Sequence, residues 1–329
     1  MGNEIARSST PRYQVTPIHC RPWLVAYLSV GLIESHYEND YGAALRRLNA
    51  IAEKLRSLDF AATPGYVITA LKREELAALN ATLLHELYFA SLGGNGGKPT
   101  GPIADALARD FGSVDRWQEE FVAMGNALAG GSGWVLLVYV PRDRRLVNQY
   151  ASEHSQAAAA GGIPIMALDM YEHAYQMDFG ANVKAYVGVF MRNLDWKAIQ
   201  ARYEDAAKVK PLPPVAQPEF GDLPGVGVEE VKAMLDAGKP VQVIDARPWA
   251  AVAREPQIMQ GATWRDPDRV REWAGELSKT EPVVVFCAYG FHVGCRTAIA
   301  LRDLGFDAKF MTGGHSAWKA IAGPTKPCA

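Results

Sequence analysis

The chain has 329 residues, of which 49% are hydrophobic and 21% are charged, a composition typical of a folded protein of about two domains and not of a disordered one. Its 34 Lys and Arg residues against 36 Asp and Glu residues give a formal net charge of -2, so no overall basic field is available to hold nucleic acid or an anionic membrane surface. We therefore expect small-molecule substrates and neither nucleic-acid nor membrane partners.

The first 33 residues contain neither a signal peptide pattern nor a membrane span. Residues 1–14 have no apolar core and no small-residue cleavage pattern, so we expect a cytoplasmic protein. The apolar stretch from Trp23 to Ile33 is interrupted by Ser29 and falls short of the about 20 residues that a bilayer requires. The four cysteines are too few and too scattered for a disulfide framework, so each is considered for its reactivity.

The order of apolar patterns predicts two domains of different class. Helical spacing dominates the first part, as in VDRWQEEFVAMGNAL, and the runs GWVLLVYV, RLVNQY and PIMALDMY then predict strands, which makes this part α+β. Five prolines between Asp205 and Gly227 predict an extended linker. After it, VQVIDAR and PVVVFCA are β-branched runs separated by helical stretches, which is typical of an α/β domain with a parallel sheet. The predicted boundaries are 1–204, 205–224 and 225–329.

The first part contains residues that suit a metal site. His36, His85 and His173 lie in segments of helical character, and Asp169 comes four residues before the last of them. Iron, manganese and zinc all accept imidazole nitrogen together with a carboxylate, so the residue types leave the metal open. Taken singly, each histidine is also compatible with a purely structural role.

The local sequence around these residues resembles that of a known enzyme family. LDMYEHAYQMDF at 168–179, preceded by GGSGWVLLVYV and followed by FMRNLDW, resembles the iron/manganese superoxide dismutases, and the resemblance covers about residues 15–205. The segments IESHYENDYGAALRRLNAI and LLHELYFASLGG resemble the two helices that carry ligands in that family. The resemblance implies dismutation of superoxide at one iron or manganese ion per chain, bound by His36, His85, Asp169 and His173.

The same resemblance implies roles for residues around the ligands. Trp134 matches an apolar wall of the site, Glu172 matches a residue that reaches a ligand histidine of the other subunit, and Tyr175 matches another interface position. A homodimer or a dimer of dimers is therefore implied. For the glutamine that contacts the metal-bound solvent in the family, NQYASEHSQ offers Glu153 and His154, of which we favour His154; an exposed loop role for His154 stays open.

Two positions depart from the family pattern. Ala44 stands where the family places a tyrosine that gates the substrate funnel and relays protons, and Asp40 replaces a neighbouring histidine. An aspartate there repels an anionic substrate unless Lys or Arg compensates, although Asp40 is also compatible with a solvated surface role. The alternative function is therefore a metal-bound scaffold or redox sensor with little turnover.

The second part contains a cysteine in a typical nucleophile position. Cys287 ends the apolar strand PVVVF and begins a glycine-containing loop that gives way to a helical pattern. Amide groups in such a loop stabilise a thiolate or a bound anion. A cysteine at the end of a buried strand is also compatible with inert packing.

The order VIDARPW, MQGATW, the Cys287 loop and MTGGHSAW resembles the rhodanese family over about residues 225–325. The resemblance implies that Cys287 carries sulfane sulfur as a persulfide and that Asp245 and Arg247 form a bracing pair. The implied substrate is a sulfane-sulfur donor or an oxyanion.

The cysteine loop departs from the thiosulfate-processing type. His292 stands five residues after Cys287, where a basic residue is usual, and Cys295 and Arg296 follow it. The loop is closer to the rhodanese-like domains of chromate-resistance proteins, and the sulfur donor stays open. His292 either assists the thiolate or is ordinary loop polarity, and the alternative for the whole domain is a non-catalytic binding module.

Overall fold

The computed structural model describes residues 12–156, 158–210, 220 and 222–328. The chain divides into two units, Met1–Pro213 and Pro214–Ala329, and this division falls inside the predicted linker. Four of the linker prolines (211, 213, 214 and 218) lie outside the described residues. The last helix of the first unit continues to Ala207, so the first three residues of the predicted linker are helical.

Between Val30 and Ala127 the first unit is mostly helical, as its apolar spacing predicts. Serine side chains fix two helix starts, because Ser29 and Ser113 accept hydrogen bonds from backbone N–H groups three residues later. No helix among the described residues combines the length and the apolar character needed to cross a bilayer. The helices are α1 (Val30–Ser35), a π-helical segment (His36–Tyr41), α2 (Gly42–Arg56), α3 (Gly65–Ser91), α4 (Pro102–Phe111), α5 (Val114–Ala127), α6 (Gln176–Phe179), α7 (Val183–Arg192) and α8 (Trp196–Ala207).

A three-stranded antiparallel sheet follows in the first unit. Its strands are β1 (Trp134–Val140), β2 (Arg145–Ala151) and β3 (Ile163–Asp169), in the spatial order β2-β1-β3. The strand β1 is central and buried along almost its whole length, which explains its unbroken apolar sequence WVLLVYV. The three predicted strands are confirmed, but PIMALDMY leaves the sheet at Asp169, so this carboxylate stands at a strand end.

The second unit is built on a five-stranded parallel sheet, which confirms the predicted fold class. The spatial order is β4-β9-β8-β5-β7, and β6 pairs separately with β10. The strands are β4 (Gly225–Val226), β5 (Gln242–Asp245), β6 (Gln257–Met259), β7 (Ala262–Trp264), β8 (Val283–Phe286), β9 (Ala308–Met311) and β10 (Thr325–Pro327). The helices are α9 (Val228–Asp236), α10 (Trp249–Arg254), α11 (Val270–Trp273), α12 (His292–Asp303) and α13 (Gly314–Ala320).

Both faces of this sheet are covered. Alternate residues of β8 enter opposite cores, since Val283 and Val285 pack in one apolar cluster while Val284 and Phe286 pack in another. The last residues of β5 and β8, Asp245 and Phe286, are register partners. The segments that follow these two strands therefore begin at the same carboxyl edge of the sheet, where ligand sites of open α/β folds lie.

Candidate metal centre and cysteine loop

Three histidines and one aspartate converge from separate elements of the first unit. His36 is the first residue of the π-helical segment, and His85 lies six residues before the end of α3. Asp169 ends β3, and His173 lies in a single 3-10 turn, so the helical segment expected around His173 is only one turn long. One ligand atom from each of the four residues lies within 4.8 Å of the other three.

The distances between these atoms fit ligands of one ion. Asp169 Oδ2 lies 3.1 Å from His36 Nε2 and 3.2 Å from His173 Nε2. His85 Nε2 lies 3.5 Å from the same oxygen and 3.4 Å from His173 Nε2. Atoms bound to an ion at about 2.1 Å are about 3.0 Å apart at a right angle and about 3.6 Å apart at 120°. Three imidazole nitrogens and one carboxylate oxygen suit iron or manganese.

Hydrogen bonds from outside the cluster orient His85 and Asp169. His85 Nδ1 donates to the carbonyl oxygen of Ala81 at 2.6 Å, which puts the lone pair on Nε2. Burial lowers the pKa of His85 to about 3, so its ring is neutral. Asp169 Oδ1 accepts from the backbone N–H of Tyr171 at 2.9 Å, and Tyr186 Oη donates to the Asp169 carbonyl oxygen at 2.7 Å. The second carboxylate oxygen, Oδ2, therefore faces the three imidazoles.

The buried carboxylate is anionic. Burial raises the pKa of Asp169, but hydrogen bonds with His173 and His36 outweigh this and hold the pKa well below its usual range. For His173, burial lowers the pKa, while the hydrogen bond with Asp169 and the charges of Asp169 and Asp40 raise it, and the net shift is upward. A metal cation bound in place of the protons between Asp169 and the histidines would compensate the buried negative charge of Asp169.

Aromatic rings enclose one side of the ligand cluster. Trp134 is fully buried, its ring stands edge-on to His85 at 5.2 Å, and its Nε1 donates to His154 Nδ1 at 3.0 Å. Tyr171 stacks between His154 at 4.6 Å and His173 at 5.5 Å. The sequence reasoning did not single out Tyr171, although its place between Asp169 and His173 in the DMYEH segment was a usable signal.

The two predicted interface residues have different environments within one chain. Glu172, the first residue of the 3-10 turn that carries His173, is exposed. Tyr175 is buried and packs against Tyr186 with ring centroids 5.2 Å apart. An exposed carboxylate directly before a ligand histidine is available to a second subunit.

A cavity of about 220 Å³ borders the ligand cluster. His85, His154 and His173 line it, and so do Ala44 and two charged residues, Asp40 and Arg47. Asp40 Oδ1 lies 3.5 Å from His173 Nδ1, and Arg47 forms an ion pair with Glu74. Arg47 is a cation that can compensate Asp40 and that was not identified from the sequence. It follows Ala44 by three residues and Asp40 by seven, which places all three on the same helix face.

Cys287 lies where the sequence predicts it, directly after β8 and before α12. The residue is 6% exposed, and its Sγ donates to the carbonyl oxygen of Phe291 at 3.2 Å. The loop is tightly packed: Gly290 has a φ of 76°, and a Cβ there would lie 2.6 Å from a backbone nitrogen. Cys295 is fully buried inside α12.

The expected bracing pair forms in the core of the second unit. Arg247 Nη2 donates to Asp245 Oδ2 at 2.7 Å and Arg247 Nε to the same oxygen at 2.9 Å. Arg247 Nη1 lies 3.1 Å from His315 Nδ1, so the pair extends to a third buried residue that the sequence reasoning did not single out. Such a buried charge pair fixes one arrangement of its neighbours, because breaking it leaves an uncompensated charge.

The other polar residues after the cysteine loop lie at its surface. His292 is the exposed first residue of α12, and its ring stands edge-on to Phe220 with centroids 5.8 Å apart. Arg296 is also exposed.

Comparison with known families finds matches to both units. The family model described as iron/manganese superoxide dismutases, C-terminal domain, matches residues 99–202. The model of the rhodanese-like domain matches residues 227–321.

Relatives of known activity match the first unit. The Superoxide dismutase (Fe) of Cupriavidus metallidurans is 55% identical over 196 residues, which is 60% of this chain and 98% of that protein. The Superoxide dismutase (Mn) 2 of Halobacterium salinarum is 40% identical over 128 residues, 38% of this chain and 62% of that protein. The Superoxide dismutase (Fe) of Aquifex aeolicus is 32% identical over 196 residues, 58% of this chain and 91% of that protein.

Proposed function

Since the chain belongs to the iron/manganese superoxide dismutase family and contains a rhodanese-like domain after the dismutase part, we propose that its first unit converts two superoxide ions and two protons into dioxygen and hydrogen peroxide. The observation that supports this most directly is the convergence of three imidazole nitrogens and one carboxylate oxygen within 4.8 Å of one another. His36, His85, Asp169 and His173 are the proposed ligands of one iron or manganese ion.

An iron or manganese ion held by His36, His85, Asp169 and His173 would supply the one-electron couple that dismutation of superoxide requires. The protein residues hold the ligands and the protons in place. Burial lowers the pKa of His154, so its ring is neutral at pH 7. Because Trp134 Nε1 donates to His154 Nδ1, the ring proton of His154 resides on Nε2. His154 also lines the cavity, which makes its Nε2–H a proposed hydrogen-bond donor beside the metal.

The charges along the cavity set the rate of substrate entry in this proposal. Asp40 opposes an incoming anion, and Arg47, which lines the same cavity and also pairs with Glu74, offsets it in part. A cation and an anion at one entrance leave little net field, so we expect slower capture of superoxide than a purely basic entrance would give. This argument keeps the scaffold or sensor with little turnover as the second candidate.

The finer assignments in the first unit are also proposals. We propose that Glu172 bonds a ligand histidine of a second copy, that Tyr175 supports the same interface, and that the protein is a homodimer or a dimer of dimers. Residues 1–204 would form the dismutase part, 205–224 the linker and 225–329 the rhodanese-like part. The proposed compartment is the cytoplasm.

For the second unit we propose sulfur transfer through Cys287. The Cys287 thiolate attacks the sulfane sulfur of an anionic donor, a new sulfur–sulfur bond forms on Cys287, and the donor's own sulfur–sulfur or carbon–sulfur bond breaks with the electron pair leaving on the donor. An acceptor thiolate then removes the sulfane sulfur and restores Cys287. The supporting observation is the position of Cys287 directly after strand β8, in a loop where Gly290 packs too closely against neighbouring backbone to accept a side chain.

Metal analysis coupled to superoxide turnover tests the first proposal. Purified protein loaded with iron or with manganese is expected to bind one ion per chain and to remove superoxide faster than the chelated protein. His85→Gln is expected to lose both properties, and His19→Gln, which changes an exposed histidine, is the matched control. Stoichiometric metal without turnover would favour the scaffold or sensor instead.

Persulfide mapping tests the second proposal. After incubation with a sulfane-sulfur donor, mass spectrometry is expected to find an added sulfur atom on Cys287. Cys287→Ser should abolish this signal and Cys295→Ser should keep it. A persulfide that survives in Cys287→Ser would refute the assignment.

A further inference from the structure

The second unit contains another cysteine beside the cysteine loop, and sulfur transfer through Cys287 does not use it. Cys295 lies in the first turn of α12, eight residues after Cys287, and neither residue is in a disulfide. Cys295 is fully buried, while 6% of the surface of Cys287 is exposed. A small oxidant in the solvent therefore meets Cys287 before it meets Cys295.

Both sulfur atoms contact the same short stretch of backbone. Cys287 Sγ donates to the carbonyl oxygen of Phe291 at 3.2 Å, and Cys295 Sγ donates to the carbonyl oxygen of Gly290 at 3.9 Å. Gly290 and Phe291 are consecutive residues. The two thiols therefore lie against neighbouring peptide groups of one loop.

A glycine allows the start of α12 to lie directly against Cys287. A Cβ at Gly294 would lie 3.2 Å from the backbone nitrogen of Cys287 and 3.5 Å from its Sγ. Because Gly294 has no side chain, nothing from this position separates the sulfur atom of Cys287 from the helix turn that carries Cys295.

The same turn of α12 is weakly fixed. Phe291 is the N-cap residue of the helix, and no side chain caps this end. The first backbone N–H groups of a helix have no partner within it, so an uncapped first turn moves more easily than a capped one. A disulfide requires Cβ atoms about 3.8 Å apart, and movement of this turn can bring Cys295 to that distance from Cys287.

We propose that Cys287 and Cys295 form a reversible disulfide when hydrogen peroxide oxidises Cys287. The Cys287 thiolate attacks one peroxide oxygen, an S–O bond forms, the O–O bond breaks, and the departing hydroxide takes a proton from the solvent to become water. Cys295 Sγ then attacks the sulfenic sulfur, an S–S bond forms, the S–O bond breaks, and the Cys295 proton leaves with the hydroxide as a second water. Two thiols and one peroxide give one disulfide and two water molecules.

The consequence of this disulfide for sulfur transfer rests on the functions proposed above. Hydrogen peroxide is the product proposed for the first unit, and it diffuses through water, so the coupling requires no contact between the units. Cys287 Sγ in a disulfide does not attack a sulfur donor, so peroxide switches sulfur transfer off and a dithiol reductant restores it. The disulfide itself requires neither activity.

Hydrogen peroxide added to the full chain tests the pair. Both cysteines lie in one tryptic peptide, residues 280–296, because no Lys or Arg occurs between Lys279 and Arg296. After peroxide treatment and alkylation without reduction, this peptide is expected to lose two hydrogen atoms and to take up no alkyl group. Reduction by a dithiol before alkylation should restore both alkylation sites.

Three variants separate the pair from general oxidation. In Cys295→Ser the mass loss should disappear, and Cys287 should proceed to sulfinic acid, a gain of two oxygen atoms. Cys295→Ala buries no hydroxyl group and should give the same result if the serine variant does not fold. At about 0.1 mM peroxide, sulfinic acid should form about tenfold faster in these variants, because an intramolecular thiol acts at about 1 mM or more. Cys328→Ser changes another cysteine of this unit, whose backbone N–H donates to Pro256, and should keep the mass loss.

Three results would overturn the proposal: two alkylated thiols in this peptide after peroxide treatment, sulfinic acid on Cys287 at equal rates with and without Cys295, and a disulfide that joins Cys287 to Cys328. The mass loss is measured without a sulfur donor and is independent of transfer. A disulfide in a protein that forms no persulfide refutes sulfur transfer and leaves the pair intact. A persulfide on Cys287 without a peroxide-induced disulfide refutes the pair alone.

Discussion

Replacing Ala44 by tyrosine addresses how protons reach the metal centre. Ala44 lines the 220 Å³ cavity together with His85, His154 and His173, so we expect a longer side chain at this position to extend into the cavity beside the proposed ligands. The two tyrosines nearest to it in sequence do not supply a phenol there. Tyr37 Oη donates to the Thr16 carbonyl oxygen, and Tyr41 Oη donates to Glu86.

The cavity has room for the added ring. Its volume corresponds to about seven water molecules at roughly 30 Å³ each, and a phenol displaces about half of them. The change from alanine to tyrosine in a helix costs at most about 0.7 kcal/mol of helix propensity, so the variant should fold and keep its metal. A positioned acid contributes about 100-fold or more to a proton-limited step. We expect solvent that enters the cavity to deliver protons as well, so Ala44→Tyr should speed that step by about tenfold and not by the full factor.

Pulse-generated superoxide, followed by its absorbance in protein of known metal content, measures this step directly. The proton-dependent phase should accelerate in Ala44→Tyr and should show a reduced solvent isotope effect. Ala44→Phe fills the same space without a hydroxyl group and should not accelerate. Equal rates in the two variants, or no change in a metal-loaded Ala44→Tyr protein, would show that protons arrive by another route.

Three further outcomes are expected. Arg47→Gln should lower the second-order rate constant for superoxide about threefold at low salt, and Asp40→Asn should raise it. Both effects should shrink as ionic strength rises. Identical salt profiles of the two variants and the unchanged protein would contradict the charge argument. Brief iodoacetamide treatment at neutral pH should label Cys287 before Cys20, because burial raises the pKa of Cys20 to about 11 and leaves about 0.01% of its thiol ionised at pH 7. Labelling of Cys20 should rise with pH up to that value, and early labelling of Cys20 at pH 7 would be inconsistent with it. Protein in metal at about 1,000 times the dissociation constant should melt about 10 °C higher in its first unit than the same protein after chelation. His85→Gln should melt at the same temperature with and without metal. An unchanged melting temperature of the unsubstituted protein would argue against binding by the folded state alone.

The convergence of His36, His85, Asp169 and His173 was predictable from sequence because these residues are chemically distinctive and occur in a family-specific order; their role as ligands stays a prediction. The strand β1 was predictable for a simpler reason, since seven consecutive apolar or aromatic residues suit a central strand. The parallel sheet of the second unit followed from β-branched runs such as VVVF, whose alternate residues enter two different cores.

The residues that were missed act through tertiary contacts. His315 is adjacent to Arg247 only because α13 packs beside the end of β5, and no sequence pattern links positions that are 68 residues apart. Tyr171 stacks on His154 because a strand end and a 3-10 turn bring the two rings together. In both cases the residue type was visible, but its neighbour was set by packing.

The ligand geometry also limits when the metal can be acquired during synthesis. His36 and Asp169, whose atoms lie 3.1 Å apart, are separated by 133 residues, so an ion bound by both would connect the helices to the sheet across a very long loop. A nascent chain cannot present the full ligand set before His173 has left the ribosome and β3 has paired. In the proposed site the ion would therefore be bound by the nearly complete fold of the first unit and not by any single segment of it.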